Sequence, residues 1–199
     1  MKSQFNEIKG MISSQNDQKF ERRLADVERR LYAQEQYSRR ECIEIHGFEN
    51  VENNKVEEAA IDVVNNTGGN YSKSDFHAIH KLKNTNIVIL KSVNRRTTLN
   101  ILKSKKNLKN LNHEQKQKLS DHGLRNKIYI NESLCPYYRG LFGKCNALFK
   151  KNLLKNFYTV NGMIKIIDNQ DIKHTIGHNY DLVSLFGQDT LDSLPKKRI

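Results

Sequence analysis

Between Gln36 and Phe48 the periodicity of this chain changes, and that change constrains the fold more than any other feature. Upstream, apolar residues recur at helical spacing. From Cys42 to His46 they alternate, with Ile43 and Ile45 on one face and Glu44 on the other, which predicts a strand. Gly47 then releases the strand into a loop. Arg39 and Arg40 sit between helix and strand, two side chains of fixed charge suited to gripping phosphate bidentately. The arrangement predicts an oligomerising stalk carrying a nucleic-acid-binding head. An ordinary α+β domain with a basic, solvated joint is the plainer alternative.

Charge bears on that choice. Lys and Arg total 34 against 22 Asp and Glu, giving a formal charge of +12 and a pI of about 9.6. Such an excess favours a polyanionic partner, either nucleic acid or an anionic membrane surface. Trp is absent and 37% of residues are hydrophobic, so the core must be modest. No apolar run reaches the roughly 18 residues that a membrane-spanning helix needs. Polar residues follow Met1-Lys2 where a secretory signal would have an apolar stretch, so no signal peptide is expected. The sequons at Asn65, Asn70 and Asn131 are accordingly expected to stay unglycosylated. Cys42, Cys135 and Cys145 are widely spaced and odd in number, which points to a reducing compartment and to small core or surface thiols.

Residues 1–40 form the expected helical stalk. Phe5, Ile8 and Ile12 keep one helical register, and Phe20, Leu24, Val27 and Leu31 keep another. The registers are out of phase across Ser13-Ser14-Gln15-Asn16-Asp17, which predicts a break and the N-cap of a second helix there. The second set is the candidate self-association seam, for a dimer or trimer; a helix folded back on the domain is the alternative.

Residues 41–133 read as strand, helix, strand, strand, helix, strand, the βαββαβ order of ferredoxin-like and RNA-recognition modules. A helix begins near Asn54 with Val56, Ala59, Ala60, Val63 and Val64 on one face, and Gly68-Gly69 ends it. Phe76 to Leu82 and Ile87 to Leu90 supply strands, the latter buried on both faces, and Asn94 caps the next helix. Asn112 to Asn126 is a loop or a short extra helix. Residues 134–186 form a small α/β-hairpin domain. Pro136 opens a long helix, and Phe157–Val160 and Met163–Ile167 flank an Asn161-Gly162 turn. Asp168 to Phe186 is expected to hold short helical turns, and 187–199 a polar basic tail. The fold class is α+β.

Tyr37-Ser38-Arg39-Arg40 leading to Ile43-Glu44-Ile45-His46-Gly47 resembles the opening motif of the baculovirus few-polyhedra protein family. Lys127–Leu134 with Pro136-Tyr137 and Leu141-Phe142 resembles its second motif, and the hairpin with Asn161-Gly162 and Ile164 its third. The layout is also similar to that of the first-ORF proteins of LINE-type retrotransposons. The latter resemblance implies a coiled-coil oligomer that binds single-stranded RNA as a chaperone. The former implies a role late in infection, in virion occlusion and nucleocapsid envelopment, with nucleocapsid or envelope proteins as partners. It places the protein in the host-cell cytoplasm and nucleus or in the virion nucleocapsid. A start at Met1 with no further extension favours the viral branch.

The expected single-strand RNA or DNA contacts are Arg39, Arg40, Lys91, Arg95, Arg96, Lys103, Lys105, Lys106, Arg125, Lys127 and Arg139, with Tyr137 and Tyr138 stacking on bases. For any one lysine, a solvated helix face is the plain alternative. Resemblance to the retrotransposon proteins singles out Arg39, Arg40, Lys91, Lys103 and Arg139. The two central strands carry no aromatic residue, so phosphates are expected to supply most of the affinity. His77-x-x-His80 and His174-x-x-x-His178 lack the Cys or clustered carboxylates of a metal site. No catalytic signature and no cofactor motif occurs, and no enzyme is expected. Pro195-Lys196-Lys197-Arg198 is a short basic run of the nuclear-import type. A structural or protein-interaction factor is the second class of function.

Overall fold

The computed structural model describes residues 2–124 and 127–195, without the side chains of residues 1–18 and 21. Arg125 and the basic run 196–198 therefore lie outside the described residues. The fold is α+β. A leading helix α1 (Lys2–Ser38) enters β1 (Cys42–His46), followed by α2 (Val56–Asn65), β2 (Phe76–Lys81), β3 (Ile87–Ser92) and α3 (Arg95–Ser104). After a 3-10 segment at Lys105–Asn110 come α4 (His113–Asp121), β4 (Tyr129–Glu132) and α5 (Pro136–Lys150). The chain continues through β5 (Asn156–Val160), β6 (Met163–Ile167), β7 (Lys173–Ile176), α6 (Asn179–Phe186) and α7 (Gln188–Asp192).

The first four strands make one antiparallel sheet in the order β2-β3-β1-β4. Its alternation decides its two faces. Ile43 lies opposite Leu90, and Ile45 opposite both Val88 and Ile130, so these side chains share the inward face. Ala59, Ala60, Val63 and Val64 of α2 and Ile101 of α3 bury against them. Glu44, opposite Ile89 and Asn131, is on the other face. The Asn94 side chain accepts a hydrogen bond from Thr97 N–H and starts α3 as the sequence predicts.

The second sheet, β5-β6-β7, packs under α5, with Leu141, Cys145 and Leu148 against Ile164, Ile166 and Leu182. Burial pushes the Cys145 thiol up to about 12, so it acts as a core residue. Asn161 (φ 55) and Gly162 (φ 75) form the turn, and this double left-handed step is what the Asn-Gly pair supplies.

Three expectations are corrected. The leading segment is one continuous helix with no break at Ser13–Asp17, because Ser, Gln, Asn and Asp each cost only a few tenths of a kcal/mol inside a helix without Pro. Between Asp168 and Phe186 a seventh strand precedes the helix. Asp168 makes its turn, accepting from the N–H groups of Gln170 and Ile172, and of its four residues only Ile176 is apolar, too few to show a period. The segment after Gly187 is no polar tail as far as it is described. It forms α7 and buries Leu191 and Leu194 in the second core. The open alternative at Asn112–Asn126 resolves to helix α4, with a reciprocal Asn112–Gln115 capping box. Among the described residues no helix is long and apolar enough to cross a membrane.

Candidate nucleic-acid interface

The end of α1 is fastened to the body at a neck. Gln36 is buried there. Its side-chain amide donates to the Ser133 carbonyl at 2.9 Å, and its carbonyl accepts from Cys135 N–H at 2.8 Å. One turn earlier, Tyr32 stacks on Tyr137 with ring centroids 3.7 Å apart and planes 6° from parallel. Arg29 reaches Asp181 at 3.2 Å. The hairpin turn closes the same joint: Gly162 N–H donates to the Glu132 carboxylate at 3.1 Å, and a Cβ on Gly162 would stand 2.8 Å from Gln36 Nε2. The helix is thus docked over its last turns. The seam residues Phe20, Leu24, Val27 and Leu31 nevertheless remain 48% to 68% exposed.

Four cations converge on this neck. Arg39, Arg40 and Arg95 line one small cleft with Cys42, Glu132 and Asn161. Lys91 lies opposite Cys42 in the β1–β3 pairing. Burial raises the pKa of the Cys42 thiol, while the charges of Lys91 and Arg39 pull it the other way. Arg39 has a loose partner in Glu35 at 3.6 Å, and Arg95 donates to the Asn161 side chain at 3.0 Å. Arg40 lies 4.3 Å above the ring of Tyr37, which is 67% exposed.

Arg139 does different work. It donates to Glu44 at 2.5 Å, and Ser133 Oγ donates to the same carboxylate at 3.1 Å. Glu44 is buried on the open face of the sheet, so Arg139 is first the counter-ion of a buried acid. Burial also lowers the protonation point of the adjacent His46, against the pull of Glu44.

The remaining expected residues divide. Lys105, Lys106 and Lys127 line a separate cavity of about 850 Å³ beside β4, together with Lys109 and Lys116. Burial lowers the protonation point of Lys105, with Glu132 opposing. Arg96 and Lys103 are exposed on α3 and line neither cavity. Tyr138 is corrected: it is buried in the second core and presents no face to a base. Tyr137 is half-buried, its ring already stacked on Tyr32 and its hydroxyl accepting from Asn179 N–H at 2.9 Å.

The exposed aromatic at the neck is therefore Tyr37 in the last turn of α1, with Arg40 of the following turn over its ring. Tyr129, opposite His46 at the sheet edge, is a second exposed ring, on the lysine-lined cavity. Nothing in the sequence marked Gln36, Lys109 or Lys116. No protein-family model matches the chain, and no curated protein matches it.

Proposed function

We propose that this protein is a non-enzymatic, self-associating binder of single-stranded nucleic acid that grips phosphates at the neck. The observation that supports this reading is the convergence of Arg39, Arg40, Lys91 and Arg95 beside the exposed ring of Tyr37. In this reading the four-stranded sheet with α2 and α3 is a ferredoxin-like, RNA-recognition-type module, and residues 134–194 are a small C-terminal domain. α1 is a stalk that pairs with another copy through Phe20, Leu24, Val27 and Leu31. The likeness to few-polyhedra proteins extends the proposal to a late-infection role in virion occlusion and nucleocapsid envelopment, in the host-cell cytoplasm and nucleus.

Fluorescence anisotropy with a short labelled oligonucleotide tests the interface. With about four phosphates neutralised, one for each neck cation, the log–log salt slope is expected to be about −2.8, at about −0.7 per contact. Arg39→Ala with Arg40→Ala should flatten it by about 1.4. A salt-independent affinity, or an unchanged slope in the double variant, removes the neck as the interface. Leu24→Ala with Leu31→Ala should lower the particle mass in light scattering; an unchanged mass removes the stalk assignment.

The ties of Arg139 to Glu44 and of Arg95 to Asn161 favour a second reading, a protein-interaction factor whose cations hold the fold together. No oligonucleotide binding by the parent protein at low salt, with the Arg39/Arg40 variant losing stability, would support it.

A further inference from the structure

The cavity beside β4 has a chemistry unlike the neck. β4 ends the sheet order, and its second edge carries no strand among the described residues. The phase of that edge follows from one bond: Ser133 N–H donates to the Cys42 carbonyl at 3.2 Å. Antiparallel alternation then turns Asn131 and Tyr129 toward β1 and sends the backbone N–H and C=O of Ile130 outward, to the bottom of the cavity it lines, where the residue is 3% exposed and a strand must enter the groove to reach it. The walls are aliphatic, with Leu108, Leu111, Leu119, Leu124 and Ile128. Around them stand Lys105, Lys106, Lys109, Lys116 and Lys127, and no Asp or Glu lines the cavity among the described residues.

We propose that this groove takes an extended acidic peptide, which adds to the sheet as a strand beside β4 with aliphatic side chains on the leucine floor and carboxylates against the five lysines. Backbone pairing at an open edge supplies affinity, and pockets for alternate side chains supply choice. Charge supplies the filter. Lysines beside a free edge ordinarily repel stray strands, and the same ammonium groups admit a strand that brings carboxylates. A nucleic-acid strand uses these features poorly, since it has no backbone to continue a sheet, and Tyr129 is the one aromatic side chain lining the groove. α4 keeps the far wall in place: Asp62 of α2 accepts from Lys118 at 2.8 Å and pairs with His122 at 2.7 Å.

The test uses the full chain and a fluorescein-labelled peptide of about eight residues alternating Glu with Val or Ile. Two control peptides replace Glu by Lys or carry N-methyl groups on alternate backbone nitrogens. The acidic peptide should bind, the basic peptide should not, and backbone methylation should abolish binding. Lys109→Glu with Lys116→Glu, two exposed positions, should weaken binding about tenfold or more, and Lys109→Gln with Lys116→Gln by less. Circular dichroism should confirm that both variants stay folded. A short oligothymidylate should leave the peptide bound, because it occupies the neck. Equal binding of the methylated peptide, indifference to the Lys109/Lys116 changes, or full displacement by oligothymidylate each overturns the assignment. The last would make the groove a path for nucleic acid. Failure of the Arg39/Arg40 experiment leaves this one intact, since the two variants share no residue.

Discussion

The neck and the β4 groove are both basic, yet their cations are held in opposite ways. At the neck, guanidinium groups already have protein partners, with Arg139 on Glu44, Arg39 near Glu35, and Arg95 on Asn161. In the groove, the rim lysines surround leucines, and no acid stands among the lining residues described. Positive charge at the neck is thus partly structural, and a substitution there can change the fold before it changes any ligand. Positive charge in the groove faces no acid among the lining residues described, although Glu132 acts on Lys105 from beyond the lining. Counting basic residues along the chain treats the two alike; their partners separate them.

That contrast is open to direct test, beginning where the effect should be largest. Arg139→Ala strands the buried Glu44 carboxylate and should cost about 2–3 kcal/mol, less than a fully buried pair because the Arg139 side chain is 52% exposed, whereas replacing both partners by Glu44→Gln and Arg139→Met should restore most of it. Denaturant titration reads both. If the single variant is as stable as the parent, Arg139 is free for a ligand and the neck resembles the groove after all.

Gln36→Ala comes next. It leaves the Ser133 carbonyl and Cys135 N–H without their partner, at about 1–3 kcal/mol. It should also loosen the docking of α1, seen as faster amide exchange at Ser133–Cys135 with the β1–β3 pairing still protected. Uniform loss of protection would make Gln36 part of the global core and not a local fastening.

The smallest effect belongs to the groove wall. Burial pushes the Asp62 carboxyl up, but hydrogen bonds from Lys118 and His122 outweigh this and hold it below its ordinary value. A carboxylate whose folded value is depressed contributes stability present above its unfolded value, near about 3.9, and lost as pH falls through the folded value. α4 should therefore lose amide protection as the pH falls through that folded value. Asp62→Asn should bring about 1 kcal/mol of that loss at neutral pH. Retained α4 protection in the variant would show that leucine packing alone holds the wall.

How legible this was in the sequence depends on where the signal lives. Pro136 opening α5, the Asn161-Gly162 hairpin and the Asn94 cap are local chemistry, and each stands where the sequence puts it. The continuous α1 defeated a local argument, because weak helix formers do not end a helix when nothing competes for their backbone. β7 and α7 were missed because each offers only one or two apolar residues to a core built mostly by others. Tyr137 and Tyr138 are adjacent on one helix, so a turn of about 100° decides which ring is entombed, and only the packing of α5 fixes that angle. The groove needed tertiary structure altogether, since its lysines are spread from 105 to 127 on three separate segments.

The stacked Tyr32–Tyr137 pair has a practical consequence. With no Trp and only eight Tyr in the chain, the near-ultraviolet signal carries little competing background. Two rings locked parallel at 3.7 Å sit astride the joint between α1 and α5, so their coupled absorption is a built-in optical gauge of whether the leading helix is seated. Mixing the unlabelled protein with denaturant in a stopped-flow cell would follow the unseating in real time.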